Sequence, residues 1–384
     1  MKITIVMGYA QLMPPDSGDA ASRSWHLLSM EFARQGHEVT IISRHWPGTP
    51  SQELRGGVRH IRVPGYDRSW RSLKSAWRDF RWSCRVIPAI PASDITVTVG
   101  GLFVPMRLGL HHGRFGRIVV APAGLSRKRF ALLKHVDSIL AISTPVKKSI
   151  ARRTPRLEPK IQVIGYPIDW NTLSKAKPEI DAEDPVTLGF IGRLHPDKGV
   201  EVLVASIEQL HRMELPVPWR VVFSKARDSS MGSASEPYAT SVERRLVNLI
   251  GPERFVLRPP PRTIERLVAS YYEIDVFCHP SLQRHKEIFS VAVVEAMASG
   301  AVPVVSDLAF FDDFIENGTN GEVFDPRAAD APERLARIFE RLICDQPLRH
   351  RLSEAARQSV YRYDCSLLAS RLLADFATLA VARQ

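Results

Sequence analysis

Short apolar runs alternate with amphipathic stretches along most of this chain. In the first half, six runs have the length and the β-branched content of buried strands: Ile3–Met7, Val39–Ser43, Val58–Val63, Ile95–Val99, Arg117–Ala121 and Ser138–Ser143. Between the first two runs, residues 20–35 carry apolar side chains at helical spacing, and Gly36 follows as a residue typical of helix C-termini. This alternation predicts a parallel sheet covered by helices on both faces.

The rhythm pauses between residues 153 and 184, where recurring prolines and a charged, weakly apolar stretch predict a linker. It resumes with six further strand-like runs: Val186–Ile191, Trp219–Ser224, Arg254–Leu257, Ile274–His279, Val302–Ser306 and Glu322–Phe324. Helical patterns accompany them at Gly199–Met213, Ser241–Ile250, Thr263–Ser270, Ser290–Ser299, Pro332–Cys344 and Ser366–Val381. The sequence therefore predicts two doubly wound, Rossmann-like α/β domains, with ligands bound in an interdomain cleft outside the carboxyl ends of the strands.

The predicted domain boundaries follow these changes of rhythm. Residues 1–166 form the N-terminal domain, 167–184 the linker and 185–365 the C-terminal domain. Residues 366–384 are predicted to form a helix that packs back toward the N-terminal domain. The length of 384 residues suits two domains of ordinary size.

The chain has a formal net charge of +11. A basic surface attracts phosphates, nucleic acid or anionic lipid head groups, but the charge alone does not say which. Nucleic acid is disfavoured, because the positive charge is dispersed and the chain has neither zinc-finger spacing nor an aromatic RNA-binding motif.

The four cysteines are far apart and include no C-x-x-C pair, which argues against a disulfide framework or a structural zinc site. We expect buried free thiols in a reducing compartment. The chain starts on a strand-like run rather than a signal peptide, and its longest apolar run, 288–305, is interrupted by Glu295, Gly300 and Pro303. These features indicate a cytoplasmic protein, with peripheral attachment to the inner face of the membrane as an alternative.

The run from Phe190 to Gly199 joins a predicted strand to a predicted helix. Gly192 would allow a tight backbone turn, and Arg193 and Lys198 would place two cations beside a helix N-terminus, which itself favours anions. A forked guanidinium and a compact ammonium together suit a diphosphate. A match this short is also compatible with a surface turn whose charges are incidental.

The run from His279 to Gly300 contains two glutamates, Glu287 and Glu295, with an apolar stretch between them. Their separation is a little over two helical turns, so both would share one face if the helix reached back to Glu287. A helix this apolar is buried, and a carboxylate within it needs hydrogen-bond donors. The hydroxyls of a ribose or another sugar are suitable partners for Glu295.

These two runs together resemble the retaining GT-B glycosyltransferases of the family 4 type, also called glycosyl transferases group 1. The resemblance rests on the E-x7-E spacing, the segment Glu295–Val305 and the Gly-Arg-Leu-x-Pro-x-Lys-Gly run from 192 to 199. Three further segments, Ser17-Gly18, Gly36–Thr40 and Asn320–Phe324, resemble other parts of that family. The resemblance covers most of the chain, and its C-terminal motifs are the more specific.

The resemblance implies that the N-terminal domain binds an acceptor and that the C-terminal domain binds a nucleotide-diphosphate sugar of the UDP or GDP type. A hexose would pass, with retention, to a carbohydrate, lipid-linked or natural-product acceptor, as in the synthesis of cell-surface polysaccharides or glycoconjugates. No cofactor and no metal are implied, in keeping with the absence of an Asp-x-Asp motif. The alternatives are a GT-B epimerase or phosphorylase and a catalytically silent protein that binds sugar nucleotides or polyanions.

The resemblance also implies roles for individual residues. Glu287 would contact hydroxyls of the transferred sugar, Arg193 and Lys198 would stabilise the diphosphate as the glycosidic bond breaks, and Glu295 would bind the ribose. The base would lie against the segment 258–262. The other implied donor contacts are Gly18, Gly192, Arg262, Ile288, Phe289 and Ser290.

The chain departs from the family pattern at several positions. Ser17 stands where the family has glycine, and Ile288 stands where it has the glycine of Glu-Gly-Phe, which would alter the choice of sugar. The segment Tyr166–Asp169 replaces the usual Asn-Gly-Val-Asp. Many members have a histidine near Ala123 that this chain lacks, which favours the silent binder.

The segment 70–86 carries two stripes at helical spacing. One is apolar, with Trp70, Leu73, Trp77, Phe80 and Cys84, and the other is basic, with Arg71, Lys74, Arg78, Arg81 and Arg85. A Rossmann-like domain needs a helix here, which favours an apolar stripe packed in the core. The alternative is a helix that lies on an anionic membrane or binds an anionic acceptor.

Overall fold

A computed structural model describes residues 1–15, 20–67, 69, 72–110, 113–122, 130–175, 184–225, 235–261, 263–283 and 287–381. Gly18, Ala123, Arg262 and the pair Trp70 and Arg71 lie outside these ranges. The chain forms two compact units. Residues Met1–Ile168 and Tyr363–Gln384 form the first unit, and residues Asp169–Arg362 form the second.

Each unit is built on one sheet. The strands are β1 (Lys2–Val6), β2 (Glu38–Arg44), β3 (Gln52–Arg55), β4 (Val58–Val63), β5 (Ile95–Val99), β6 (Arg117–Ala121), β7 (Ser138–Ala141), β8 (Ile161–Val163), β9 (Val186–Gly192), β10 (Trp219–Lys225), β11 (Phe255–Arg258), β12 (Val276–His279), β13 (Val302–Ser306) and β14 (Glu322–Phe324). Their orders are β3-β4-β2-β1-β5-β6-β7-β8 and β11-β10-β9-β12-β13-β14. Neighbouring strands are parallel except β3 and β4, which form an antiparallel hairpin.

Helices connect the strands and cover the sheets. They are α1 (Ala20–Arg34), α2 (Ser72–Val86), α3 (Phe103–Leu108), α4 (Thr144–Arg153), α5 (Trp170–Leu173), α6 (Val200–Arg212), α7 (Ser235–Ile250), α8 (Ile264–Tyr272), α9 (Val291–Ala298), α10 (Ala331–Cys344), α11 (Gln346–Val360) and α12 (Cys365–Val381). Within the described ranges, none of these helices is both long enough and apolar enough to cross a bilayer. The prediction of two Rossmann-like α/β domains is confirmed.

The last helix belongs to the first unit. Its apolar side packs on α1, where the rings of Phe32 and Phe376 meet edge to face with centroids 6.1 Å apart. Leu368 and Leu372 are buried in the same cluster as the central strands β1 and β5. The helix therefore contributes core residues to a sheet formed more than two hundred positions earlier in the chain.

The second sheet reverses its direction of growth at β9. The chain passes from β9 to β10 on one side and later returns to β12 on the other side of β9. At such a switch point the connections leave the sheet in opposite directions and open a crevice at the carboxyl ends of the two strands. The loops after β9 and β12 are therefore the places in this unit where a ligand site is expected.

Helix α2 forms where the sequence predicts one, but the prediction of an apolar stripe packed in the core is wrong. The side chains of Leu73, Trp77 and Phe80 are 84%, 53% and 47% exposed. The core contacts come instead from Trp82 and Val86, which are fully buried. The stripe faces solvent because the opposite face of the helix is the one that packs on the sheet.

The cysteines are free thiols, but only one of them is buried as expected. Cys278 lies inside the second unit, and its burial raises the pKa of the thiol. Cys84 and Cys344 are exposed and Cys365 is half-buried, so the expectation of buried thiols is wrong for these three.

Candidate active site

Two loops build the site in the second unit. The first comprises residues 193–199 after β9, and the described part of the second comprises residues 280–283 and 287–290 after β12. The two strands are parallel neighbours, with Leu188 opposite Val276. Because parallel strands end at the same edge of a sheet, the loops leave the sheet side by side.

The loops approach each other too closely for any residue but glycine at position 199. Gly199 has a φ of +70°, and a Cβ atom there would lie 1.8 Å from the carbonyl oxygen of Pro280. The backbone N–H of Leu282 donates to the carbonyl oxygen of Asp197 at 3.0 Å, and the Gln283 side-chain amide donates to the Asp197 carboxylate. These contacts fix the first loop against the second.

The carboxylate of Glu287 holds two basic side chains. Lys198 Nζ lies 2.7 Å from Glu287 Oε1, and His279 Nε2 lies 3.0 Å from the same oxygen. The side chains of Lys198, Glu287 and His279 are only 17%, 9% and 7% exposed. Water screens charges this buried only weakly, so their mutual placement matters more than that of a surface pair.

The environment of Glu287 keeps its carboxyl group ionised. Burial alone raises the pKa of this group, but His279 and Lys198 outweigh burial and hold the pKa well below its ordinary value. The second oxygen, Oε2, is buried and has no hydrogen-bond partner among the described residues. A buried carboxylate oxygen without a donor is costly, so this atom is suited to accept a hydrogen bond from a ligand hydroxyl.

Arg193 lies on the same loop as Lys198 and is associated with Asp197. Its Nη2 atom is 3.5 Å from Asp197 Oδ2, and the Arg193 side chain is 31% exposed. His195 Nδ1 lies 2.7 Å from the other oxygen of Asp197. The loop thus carries two cationic side chains, Lys198 beside Glu287 and Arg193 beside Asp197.

The second predicted carboxylate, Glu295, has a partner of its own. Helix α9 begins at Val291 and does not reach back to Glu287, so the two glutamates do not share a helical face. Glu295 is 5% exposed, and its Oε2 accepts a hydrogen bond of 2.8 Å from the hydroxyl of Tyr271 on α8. Part of the demand for donors that the sequence indicates is therefore met by the protein itself.

The other residues predicted to contact the donor, where the structure describes them, lie at the end of β9 and just before α9. Gly192 is the last residue of β9, and the left-handed turn lies at Gly199 instead. Ile288 is half-buried, Phe289 is buried against Phe314 with ring centroids 5.4 Å apart, and Ser290 is the N-cap of α9. At the predicted base segment, Arg258 Nη2 donates to Glu273 at 3.1 Å, and residue 262 lies outside the described ranges, as does Gly18.

Sequence reasoning missed His279 and Tyr271. His279 is the last residue of an otherwise apolar strand. In this fold, ligands bind at the carboxyl ends of the strands, so a histidine at this position could have been predicted to lie in the site. Tyr271 carries no such signal, because its ring is core-like and only its hydroxyl reaches Glu295.

Two family models match this chain. The family model described as glycosyl transferases group 1 matches residues 172–359, and the model described as glycosyltransferase family 4 matches residues 21–171. The D-inositol 3-phosphate glycosyltransferase of Corynebacterium aurimucosum is 28% identical over 185 residues, which is 48% of this chain. That alignment spans 41% of the length of the relative.

Solved structures show the same fold at low sequence identity. The sucrose-phosphate synthase of Thermosynechococcus elongatus has a TM-score of 0.77 and 18% identity, with each chain covered completely. The Anabaena protein HepE, solved in complex with UDP and glucose, has a TM-score of 0.67 and 15% identity, with 98% of this chain and 100% of HepE covered. These likenesses establish the fold.

Proposed function

Because this chain belongs to the family 4 type of glycosyltransferases, with a group 1 domain in its C-terminal half, we propose that it transfers a hexose-type sugar from a nucleotide-diphosphate donor. The transfer retains the configuration of the anomeric carbon. The acceptor is a carbohydrate, lipid-linked or natural-product hydroxyl, and synthesis of a cell-surface polysaccharide or glycoconjugate is favoured. The observation that carries the proposal is the convergence of Lys198, His279 and Glu287 at the switch point of the second sheet.

In this proposal the two cations of the first loop, Lys198 and Arg193, bind the diphosphate of the donor. A lysine ammonium has three hydrogen-bond donors, and in Lys198 the contact with Glu287 uses one and orients the group. In the proposed donor complex the other two bind phosphate oxygens, and Arg193 adds a guanidinium from the same loop. As the bond between the sugar and the diphosphate breaks, its electron pair passes to the phosphate oxygen, and fixed positive charge there lowers the barrier by several kcal/mol.

In this proposal Glu287 binds the sugar that is transferred. Its Oε1 is held by Lys198 and His279, which leaves the buried Oε2 to accept a hydroxyl of the transferred sugar. This hydrogen bond fixes the anomeric carbon relative to the cations. The acceptor hydroxyl attacks on the face from which the diphosphate departs and passes its proton to the departing phosphate oxygen, so no enzymic nucleophile is assigned.

The names and ligands of similar proteins support the choice of substrates. HepE was solved with UDP and glucose, which supports a UDP-sugar as the donor, with a GDP-sugar as the alternative. The corynebacterial relative is named for D-inositol 3-phosphate, which supports a polyhydroxyl acceptor. The half-buried Ile288 directly after Glu287 narrows the space beside the sugar and is expected to restrict which sugar is accepted.

A donor panel tests the proposal. A nucleotide that binds the site, at a concentration 100 times its dissociation constant, should stabilise the protein against thermal unfolding by about 2.7 kcal/mol. The nucleotide that does so identifies the base of the donor. Release of nucleoside diphosphate from UDP- and GDP-sugars then identifies the sugar, and the rate should persist when a chelator removes divalent metal. Stabilisation by nucleotides without turnover of any donor would instead indicate the catalytically silent binder.

A further inference from the structure

Helix α2 presents an apolar surface to solvent. Leu73, Trp77 and Phe80 are each exposed by about half or more, and they lie at a spacing that puts them on one side of the helix. Cys84, one turn further along, is also exposed. A contiguous apolar stripe of this kind on a folded surface is typical of an interaction site.

Cationic side chains border this stripe along the same helix. Lys74, Arg81 and Arg85 are exposed, whereas the acidic residue of the helix, Asp79, is buried and accepts hydrogen bonds from the backbone N–H groups of Leu102 and Phe103 at 2.7 and 3.2 Å. The exposed charged side chains of α2 are therefore all cationic. We call the exposed residues Leu73, Lys74, Trp77, Phe80, Arg81 and Arg85 the basic aromatic face.

Arginines and aromatic rings are interleaved on this surface. The guanidinium of Arg81 lies over the ring of Trp77 at 4.8 Å, and that of Arg85 lies over the ring of Tyr66 at 5.0 Å. The rings of Tyr66 and Trp77 are 6.3 Å apart. Stacking orders these long side chains before any partner arrives, so less conformational entropy is lost on binding.

The opposite side of the helix is fixed in the core. Trp82 Nε1 donates to the carbonyl oxygen of Met7 at 3.1 Å, and Val86 is fully buried. Rotation of the helix to bury Leu73 and Trp77 would expose Trp82. It would also move the Asp79 carboxylate away from the backbone N–H groups that donate to it. The apolar stripe is thus held outward by the fold and has no place in this domain's own core.

We propose that the basic aromatic face docks on an anionic lipid bilayer. Helices that lie in a membrane interface combine an apolar strip containing tryptophan, phenylalanine or leucine with lysine and arginine beside it, and α2 has both parts. The apolar side chains enter the head-group region, while the cations contact lipid phosphates and contribute about a fivefold gain in partitioning each. The exposed leucine and phenylalanine favour a bilayer over a soluble polyanion, which would engage the cations alone. This inference does not depend on the proposed sugar transfer.

Vesicle co-sedimentation with the full chain tests the proposal. Binding is expected to vesicles of phosphatidylcholine mixed with phosphatidylglycerol, to be weakened by salt, and to be absent from vesicles of phosphatidylcholine alone. Charge reversal in the variant Lys74→Glu/Arg81→Glu should weaken binding at least about tenfold. The variant Leu73→Ser/Trp77→Ser should also lose binding, although its charge is unchanged.

Matched variants on the same unit serve as controls. Arg152→Glu/Arg153→Glu on α4 reverses as much charge at exposed positions, and Leu54→Ser on β3 removes an apolar side chain that is 76% exposed. Both should bind anionic vesicles like the unmodified chain. The proposal is overturned if the chain binds neither vesicle, binds both equally, or is weakened as much by the α4 variant as by the α2 variant. Binding of heparin without binding of vesicles would assign the face to a soluble polyanion and would also overturn it.

Discussion

Lys198 Nζ and Glu287 Oε1 lie 2.7 Å apart, although 89 positions separate the two residues in the chain. The contact joins the loop after β9 to the loop after β12 and places a cation and a carboxylate at the switch point of one sheet. Most of the chemistry proposed for this protein depends on this pair and on the residues that hold it together.

The first prediction concerns the energetic coupling of the pair. Glu287→Gln leaves Lys198 buried without its counter-charge, and Lys198→Met leaves the buried Glu287 carboxylate with His279 alone, so each should lower the free energy of unfolding. Because the second substitution removes a group that the first has already left unpaired, the double variant should lose less than the sum, with a coupling of about 1–3 kcal/mol. Urea unfolding of the four proteins measures this coupling. Additive losses, within about 0.5 kcal/mol, would mean that the pair does not interact.

The second prediction separates backbone strain from loop contact. Gly199→Ala introduces a Cβ into a left-handed residue and against the Pro280 carbonyl, and it should destabilise the protein by more than about 2 kcal/mol and abolish transfer. Gly318→Ala is the matched control, because Gly318 has a φ of +75° but no atom within 4 Å of the added Cβ. The control should cost about 1 kcal/mol and leave transfer intact. Equal losses in the two variants would show that the loops need not meet at Gly199.

The third prediction assigns a positioning role to His279. His279→Phe should raise KM for the donor or lower kcat by about tenfold, because Glu287 loses one of the two groups that fix its Oε1. His279→Gln keeps a side-chain N–H and should recover part of the loss. His211→Phe, at an exposed histidine on α6, should leave the rate unchanged. Steady-state kinetics of these variants provides the measurement, and full activity of His279→Phe would remove His279 from the site.

The fold was largely predictable from the sequence because its strands are short apolar runs that satisfy burial on both faces. The hairpin strand β3 was missed because Gln52–Arg55 is mostly exposed and lacks a hydrophobic pattern. The convergence of Lys198 with Glu287 followed from a family resemblance rather than from spacing. Residues that act through tertiary contacts, such as Tyr271 beside Glu295, left no local pattern to read.

The exposed face of α2 is a second feature that the sequence alone could not predict. Its apolar periodicity was visible in the sequence, but periodicity does not say which of two apolar stripes a helix buries. The choice was made by Trp82 and Val86, whose partners on the sheet lie far away in the chain. Sequence analysis of an amphipathic helix with two apolar sides therefore needs the tertiary structure to decide the buried one.

The fourth prediction concerns acid stability. Burial, followed by the charge of Arg62, lowers the pKa of His60 to about 4, and Glu53 opposes this only in part. Because the unfolded chain protonates His60 near its ordinary pKa of 6.5 and the folded chain does not, stability should be fully present above pH 6.5. It should fall by on the order of 2 kcal/mol as the pH drops toward 4. His26, whose pKa is lowered by burial and then by Arg55, adds to the loss.

Unfolding in urea across this pH range checks the prediction. His60→Phe should flatten the slope between pH 6.5 and 4, whereas His350→Gln, at an exposed histidine on α11, should leave it unchanged. A slope in His60→Phe as steep as that of the unmodified chain would place the acid sensitivity elsewhere in the chain.

Lys198 is the residue proposed to stabilise the departing diphosphate of a nucleotide sugar, and single-turnover transfer measures that effect. With the donor identified from the panel, Lys198→Met should lower the rate of nucleoside diphosphate release by at least about a hundredfold, while the matched surface variant Lys148→Met keeps the full rate. A rate in Lys198→Met equal to that of the unmodified chain, in a protein shown to be folded, would show that Lys198 does not stabilise the leaving group.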